Sequence, residues 1–287
     1  MRLKNGNFFI TLFIIYFYIV ADYLICLYFG EYHKLIFKII LVIQIILIFV
    51  AVSPLGEAIN RFVYGSREII TREHKEYFNP LFTAVYDSVK KNKWWTSRNI
   101  KLYIDRSMGI NAYAIGSNTI AVTRGAIETM SPEQLQGLMA HEFGHIHNGD
   151  TLMMLVLLGG NIYMYITYAI TAIIKIILSA CDVVTGGGGI FKNIGNIFLW
   201  ACGMITAPLV LFVQMILLMK QRDNEYHADY FAYEVGYGEG LTSALYMLDK
   251  LDFSDGKLGI IERLKMSHPY IDRRIAELEQ YTKEETE

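Results

Sequence analysis

Four long apolar runs restrict this chain to folds that a lipid bilayer can hold. They extend from Phe8 to about Phe29, from Leu35 to about Ser53, from Leu152 to about Ser179 and from about Gly195 to Met219. A helix needs roughly 20 apolar residues to cross the hydrocarbon layer, and there the backbone must satisfy its own hydrogen bonds, as a helix does. Hydrophobic residues make up 53% of the chain, above the roughly 45–50% of soluble domains, and mean hydropathy is +0.30. The first run exceeds the roughly 7–15-residue core of a secretory signal and no small-residue cleavage site follows it, so it reads as a span. Asp22 interrupts that run, either protonated or beside a water-filled cavity, and is given no role. Lys175 lies near the end of the third run and Pro208 offers a kink in the fourth. Runs three and four either cross fully or sit partly embedded.

Basic residues orient the spans. Arg2 and Lys4 precede the first, Lys34 is the lone Lys or Arg in the loop after it, and Arg61, Arg67, Arg72 and Lys75 follow the second. Between spans three and four lie the run Gly186 to Gly189 and Lys192, and Lys220 and Arg222 follow the fourth. The excess of positive charge places both termini and the polar segments in the cytoplasm. The expected organisation is therefore two spans in 8–53, two more in 152–219, and one cytoplasmic domain built from 56–150 and 220–287. A net charge of -2 gives no reason to expect nucleic acid. Cys26, Cys181 and Cys202 are odd in number and widely spaced, so neither a disulfide framework nor a cysteine metal knuckle follows.

Within the polar part, Glu76 to about Lys91 has a helical pattern despite Pro80. Lys101 to Asp105 alternates like a strand, and Ala112–Ile115 and Thr119–Thr123 flank a Gly116-Ser-Asn118 turn, predicting a hairpin. Ser131-Pro-Glu-Gln134 predicts a helix start, with Ser131 as N-cap and Gln134 closing a capping box. That helix runs through His147 to end near Gly149.

On this helix lies His141-Glu-Phe-Gly-His145. Side chains four apart share a helix face, so the two imidazoles can chelate one zinc ion, and Glu142, turned ~100° from His141, can take a proton from water at the open coordination position. Alone, the motif also fits a histidine pair without metal. A second helix begins soon after the fourth span and carries Glu225-Tyr-His-Ala-Asp229. Its spacing lets Glu225 be the third ligand while Asp229 accepts the other N–H of a ligating histidine; two ordinary surface carboxylates are the alternative. The two motifs are joined by geometry. His145 precedes Leu152 by seven residues and Glu225 follows Met219 by six, heights of ~10 and ~9 Å above the apolar boundary at 1.5 Å per residue. His147 and His227 face away from the ligand side.

Asn111-Ala-Tyr-Ala114, Ser131-Pro-Glu-Gln-Leu135, His141-Glu-Phe-Gly-His145, Asn148-Gly-Asp150, Arg222, Glu225-Tyr-His-Ala-Asp229, Ser267-His-Pro269 and Arg274-Ile275, in this order, resemble an HtpX-type membrane metalloprotease. The CAAX prenyl endopeptidases are more distant relatives in the same metallopeptidase family. The resemblance implies a mainly α membrane protein: four transmembrane helices and a cytoplasmic α+β domain of gluzincin type with a small β-sheet. It also implies one zinc ion per chain, held by two histidines and a glutamate, and cleavage of misfolded or membrane proteins in envelope quality control at the cell membrane. By resemblance, His268 and Arg222 are candidate donors to the oxyanion; equally, His268 is a turn residue before Pro269 and Arg222 a partner of a carboxylate. Asn111, Ala112, Tyr113 and Ala114 pair with extended substrate if they form an edge strand, and not if they form an inner one. Two other functions share these residues: a zinc hydrolase of a non-peptide substrate, and a non-catalytic scaffold with structural zinc. Glu142 speaks against the scaffold, which needs no carboxylate at an open position. Oligomeric state has no signature in the sequence.

Overall fold

The structure, a computed structural model, describes residues 5–26, 31, 33–69, 72–92, 99–186, 189–190, 192–197, 211, 220, 223–252 and 271–286. It divides into two compact units, one comprising Met1–Phe8, Pro54–Met154 and Met219–Glu287, the other Phe9–Ser53 and Leu155–Leu218.

The second unit is helical. It contains most of α1 (Asn5–Cys26), α2 (His33–Val52) and the distal part of α7 (Asp150–Thr185). Among the described residues one helix is long and apolar enough to cross a membrane: Lys34–Val52 in α2, 19 residues with a mean hydropathy of 3.1 and largely unburied. Asn7–Val20 and Asp150–Gly159 are shorter apolar helices. The fourth apolar run falls largely outside the described residues. Thr11, Ile14, Tyr18 and Asp22 are buried along one face of α1, at helical spacing.

The first unit combines helices with a small mixed sheet. Its elements are the start of α1, α3 (Pro54–Tyr64), β1 (Arg67–Glu68), α4 (Arg72–Asn92), β2 (Lys101–Asp105), β3 (Ala112–Ile115), β4 (Thr119–Thr123), α5 (Arg124–Thr129), α6 (Pro132–Asn148), the start of α7, α8 (223–234), α9 (Gly238–Asp252) and α10 (Ile271–Thr286). Helix α4 starts a turn earlier than its sequence pattern suggests and runs through Pro80. The strand order is β1-β2-β4-β3. β2 and β4 run parallel, Lys101 opposite Thr119, and β3 runs antiparallel to β4, Ala112 opposite Val122. β4 is buried throughout and β3 lies at the edge. The β3–β4 turn is held by the buried Glu57 of α3, whose Oε1 accepts from Ser117 N at 2.7 Å. The other face of α3 exposes Leu55, Ile59, Phe62 and Val63.

Helix α6 carries the His141–His145 motif and is capped at both ends. Ser131 Oγ accepts from Gln134 N, Gln134 Oε1 accepts from Ser131 N, and Gly149 closes the helix at φ 78°. That left-handed turn suits glycine and lets α7 start at the next residue. The buried ring of Phe143 anchors α6 in the core, in a three-ring cluster with Phe82 and Tyr86 of α4 at 5.7 and 5.6 Å. On another face, Gly144 lets α8 approach closely: a Cβ there would lie 2.8 Å from Ala228 Cα.

Candidate metal centre

That close approach brings α8's carboxylates to α6's histidines. His141, His145 and Glu225 each offer one ligand atom, all within 4.8 Å of one another. The Nε2 atoms of the two histidines are 3.1 Å apart, and the Glu225 oxygens lie 3.4 Å from each. Tetrahedral ligands about 2.0–2.1 Å from a zinc ion stand about 3.3 Å from one another, so this spacing fits one small cation.

The other nitrogen of each ring decides the chemistry. His141 Nδ1 lies 2.9 Å from Asp229 Oδ1, and His145 Nδ1 lies 2.8 Å from Asp150 Oδ2. Each Nδ1–H donates to its carboxylate, which fixes the tautomer and turns an Nε2 lone pair inward. Two lone pairs facing each other across 3.1 Å, with a carboxylate beside them, favour a positive charge among them. Burial pushes both imidazoles down, but hydrogen bonds reverse it: Asp229 and Glu225 raise His141, and Asp150 and Glu225 hold His145 well above its ordinary range.

Arg274 of α10 is the buried counter-charge. Its Nε and Nη2 donate to Asp229 at 2.7 and 2.6 Å, and its Nη1 is 3.0 Å from Glu225. Burial opposes the charge on this guanidinium, and Asp229 and Glu225 more than restore it. Three buried carboxylates, of Glu142, Glu225 and Asp229, act on this arginine, and a fourth, Asp150, is buried beside His145. Ionised carboxylates are costly in a dry interior, and a divalent cation at the converged donors redresses the imbalance. Glu142 is near enough for its charge to act on both His145 and Arg274.

The remaining residues singled out in the sequence are placed as follows. Asn111 leads into β3, and Ala112, Tyr113 and Ala114 lie in it, on the edge rather than inside the sheet. Because Thr123 N donates to Asn111 O, the alternation of an antiparallel ladder turns the N–H and C=O groups of Ala112 and Ala114 away from β4. Arg222 and His268 lie outside the described residues. His147 packs on Phe231 at 5.0 Å and His227 is exposed. In the sequence Asp150 and Arg274 stand out only as parts of the resemblance, with no role. A two-histidine site implies two Nδ1 acceptors, and that signal points to Asp150; nothing local marks Arg274.

Two imidazoles one helical turn apart, with a carboxylate from a second helix, form a group of the HExxH kind that could hold a metal ion. The chain belongs to peptidase family M48, whose profile matches residues 88–282. It is 26% identical over 185 residues to Protease HtpX of Idiomarina loihiensis, an alignment covering 59% of this chain and 62% of that protein. With Protease HtpX of Vibrio vulnificus the identity is 29% over 191 residues, 61% of this chain and 64% of the relative. The chain thus spans less than two thirds of the length of these curated relatives. The crystal structure of S. mikatae Ste24p shares the fold, with a TM-score of 0.56 at 17% identity, covering 92% of this chain and 62% of that one.

Proposed function

We propose that this chain is a membrane-anchored zinc metalloendopeptidase that cleaves misfolded or membrane proteins. The observation that carries the reading is the converged donor set: two imidazole Nε2 atoms and a glutamate within 4.8 Å, each imidazole steered by a carboxylate, beside a buried Glu142. His141, His145 and Glu225 would hold one zinc ion per chain. When bound, zinc lowers the pKa of a coordinated water and polarises the scissile carbonyl. Glu142 accepts the proton of the attacking water on its carboxylate and later delivers it to the leaving amine. Asp229 and Asp150 keep the ligand rings in register. Arg222 and His268 belong to the proposal as donors to the developing oxyanion.

Substrate would bind as an extra strand on β3. The outward backbone groups of the half-buried Ala114 read an extended backbone rather than its side chains, while Ala112 is buried, giving the weak sequence preference that suits quality control. Four helices would cross the cell membrane, with both termini and the catalytic domain cytoplasmic. The apolar α2 and the exposed apolar face of α3, Leu55, Ile59, Phe62 and Val63, support contact with lipid.

The test compares purified wild type with Glu142→Gln. Both should bind one equivalent of zinc, and only wild type should cleave an unfolded protein. Cleavage by both removes Glu142 as the base, and a zinc-loaded wild type that cleaves nothing refutes the protease reading.

A further inference from the structure

We propose that Asn7, at the start of α1, is a positioning residue for the metal centre: its side-chain amide clamps the α6–α7 junction and, through Asp150, sets the imidazole of His145. The inference rests on the metal centre argued above and concerns a residue far from it in sequence.

Asn7 is buried in the unit that holds the centre. Its Nδ2 donates to Asp150 Oδ1 at 2.5 Å and to the carbonyl of Asn148 at 3.2 Å. An amide nitrogen has two hydrogens, and these acceptors take both. With the amide reversed, its oxygen would face two acceptors, so the hydrogen-bond chemistry fixes its orientation. Asn148 ends α6, where carbonyls lack partners within the helix, and Gly149 then turns the chain into α7. One side chain thus pins the end of the histidine-bearing helix and the first residue of the next.

Asp150 is held at both oxygens, Oδ1 by Asn7 and Oδ2 by the Nδ1–H of His145. A carboxylate gripped at both ends cannot rotate about its Cβ–Cγ bond. Without the amide, Oδ1 is left in a nearly buried position and the group turns to find another donor, releasing its hold on the ring. The other ligand is arranged in parallel: His141 leans on Asp229, and Asp229 is gripped at both oxygens by Arg274. The difference lies in charge. A guanidinium neutralises Asp229, whereas a neutral amide leaves the negative charge of Asp150 to act on the His145 ring and strengthen it as a donor.

The test measures zinc affinity of the detergent-solubilised full chain by competition with a chromophoric chelator. Asn7→Leu keeps the approximate volume and removes the donor. Its zinc Kd is expected to rise about 10-fold or more, as for other residues that support a ligand. In an Asp150→Asn background the same substitution should change Kd by less than about twofold, because the group it acts through is already altered. A Kd within about twofold of wild type for Asn7→Leu overturns the proposal, as does an equal loss in both backgrounds. The visible bands of the Co2+-loaded protein report on folded molecules alone: a shift in Asn7→Leu supports the assignment, and unchanged bands overturn it. Failure of the underlying metal centre is distinguishable, since wild type would then bind no zinc and His145→Ala would change nothing.

Discussion

Replacing Arg274 with methionine keeps most of the side-chain volume and removes the guanidinium charge that pairs with both Asp229 and Glu225. The arginine and both carboxylates have side chains only 3% exposed, with nitrogen–oxygen separations of 2.6 and 3.0 Å. Breaking a buried pair by removing one partner costs about 3–5 kcal/mol, because the remaining charge is uncompensated. For a unit of this size, about 2–4 °C accompanies each kcal/mol, so the melting temperature should fall by about 6–20 °C. The assay is thermal unfolding in detergent with a chelator present, so that metal affinity does not contribute. Adding Asp229→Asn to the variant should recover part of the loss by removing the stranded charge. The same contacts set a pH dependence. Burial pushes the Asp229 carboxyl up, and Arg274 and His141 bring it down from 3.8 to about 2. A carboxylate with a depressed folded pKa stabilises fully above its unfolded value, and that contribution is lost as pH falls through the folded one. Wild type should therefore keep it above about pH 5 and lose it toward about pH 2. In Arg274→Met burial stands without its main opponent, Asp229 titrates higher, and the acid limb of stability moves toward neutral pH. A loss below about 1 kcal/mol with an unmoved acid limb would refute a guanidinium buried between these carboxylates.

Further outcomes follow from the same geometry. Gly144→Ala places a Cβ 2.8 Å from Ala228 Cα and 3.0 Å from its carbonyl oxygen, so α6 and α8 must part; zinc affinity should fall at least about tenfold while circular dichroism keeps its helical signal, and unchanged affinity would show that the helices yield elsewhere. Glu225→Gln weakens the third donor, so bound zinc after gel filtration should drop below one equivalent, and full retention would remove Glu225 from the ligand set. Glu142→Gln should lower kcat by about 10²–10⁴-fold or more with zinc content intact. A model peptide N-methylated where its backbone would face Ala114 should lose kcat/KM relative to its parent, whereas equal cleavage would argue against β3 as the substrate strand.

Residues related by helical or strand periodicity are legible in the sequence, because local spacing alone places them on one face. His141 with His145, Glu225 with Asp229, the Ser131–Gln134 box and the β3–β4 hairpin are of this kind. Where the two ligand helices meet is not periodic. It depends on Gly144, which the motif presents as a mere spacer and which the structure shows at the contact with Ala228. Asp150 serves His145 across the helix break at Gly149, so no helical register announces it. Arg274 and Asn7 are further removed: an arginine on a charged helix and an asparagine ahead of an apolar run look ordinary in isolation. Chemical completeness reaches them where periodicity does not. Two histidines that ligate through Nε2 require two acceptors at Nδ1, and Asp229 supplies one; the second must be sought, and Asp150 fills it. Each acceptor is itself a buried carboxylate and requires a donor in turn, which leads from Asp229 to Arg274 and from Asp150 to Asn7. The site is thus ordered by a succession of hydrogen-bond demands that begins at the metal ligands and ends, on either side, at opposite ends of the chain.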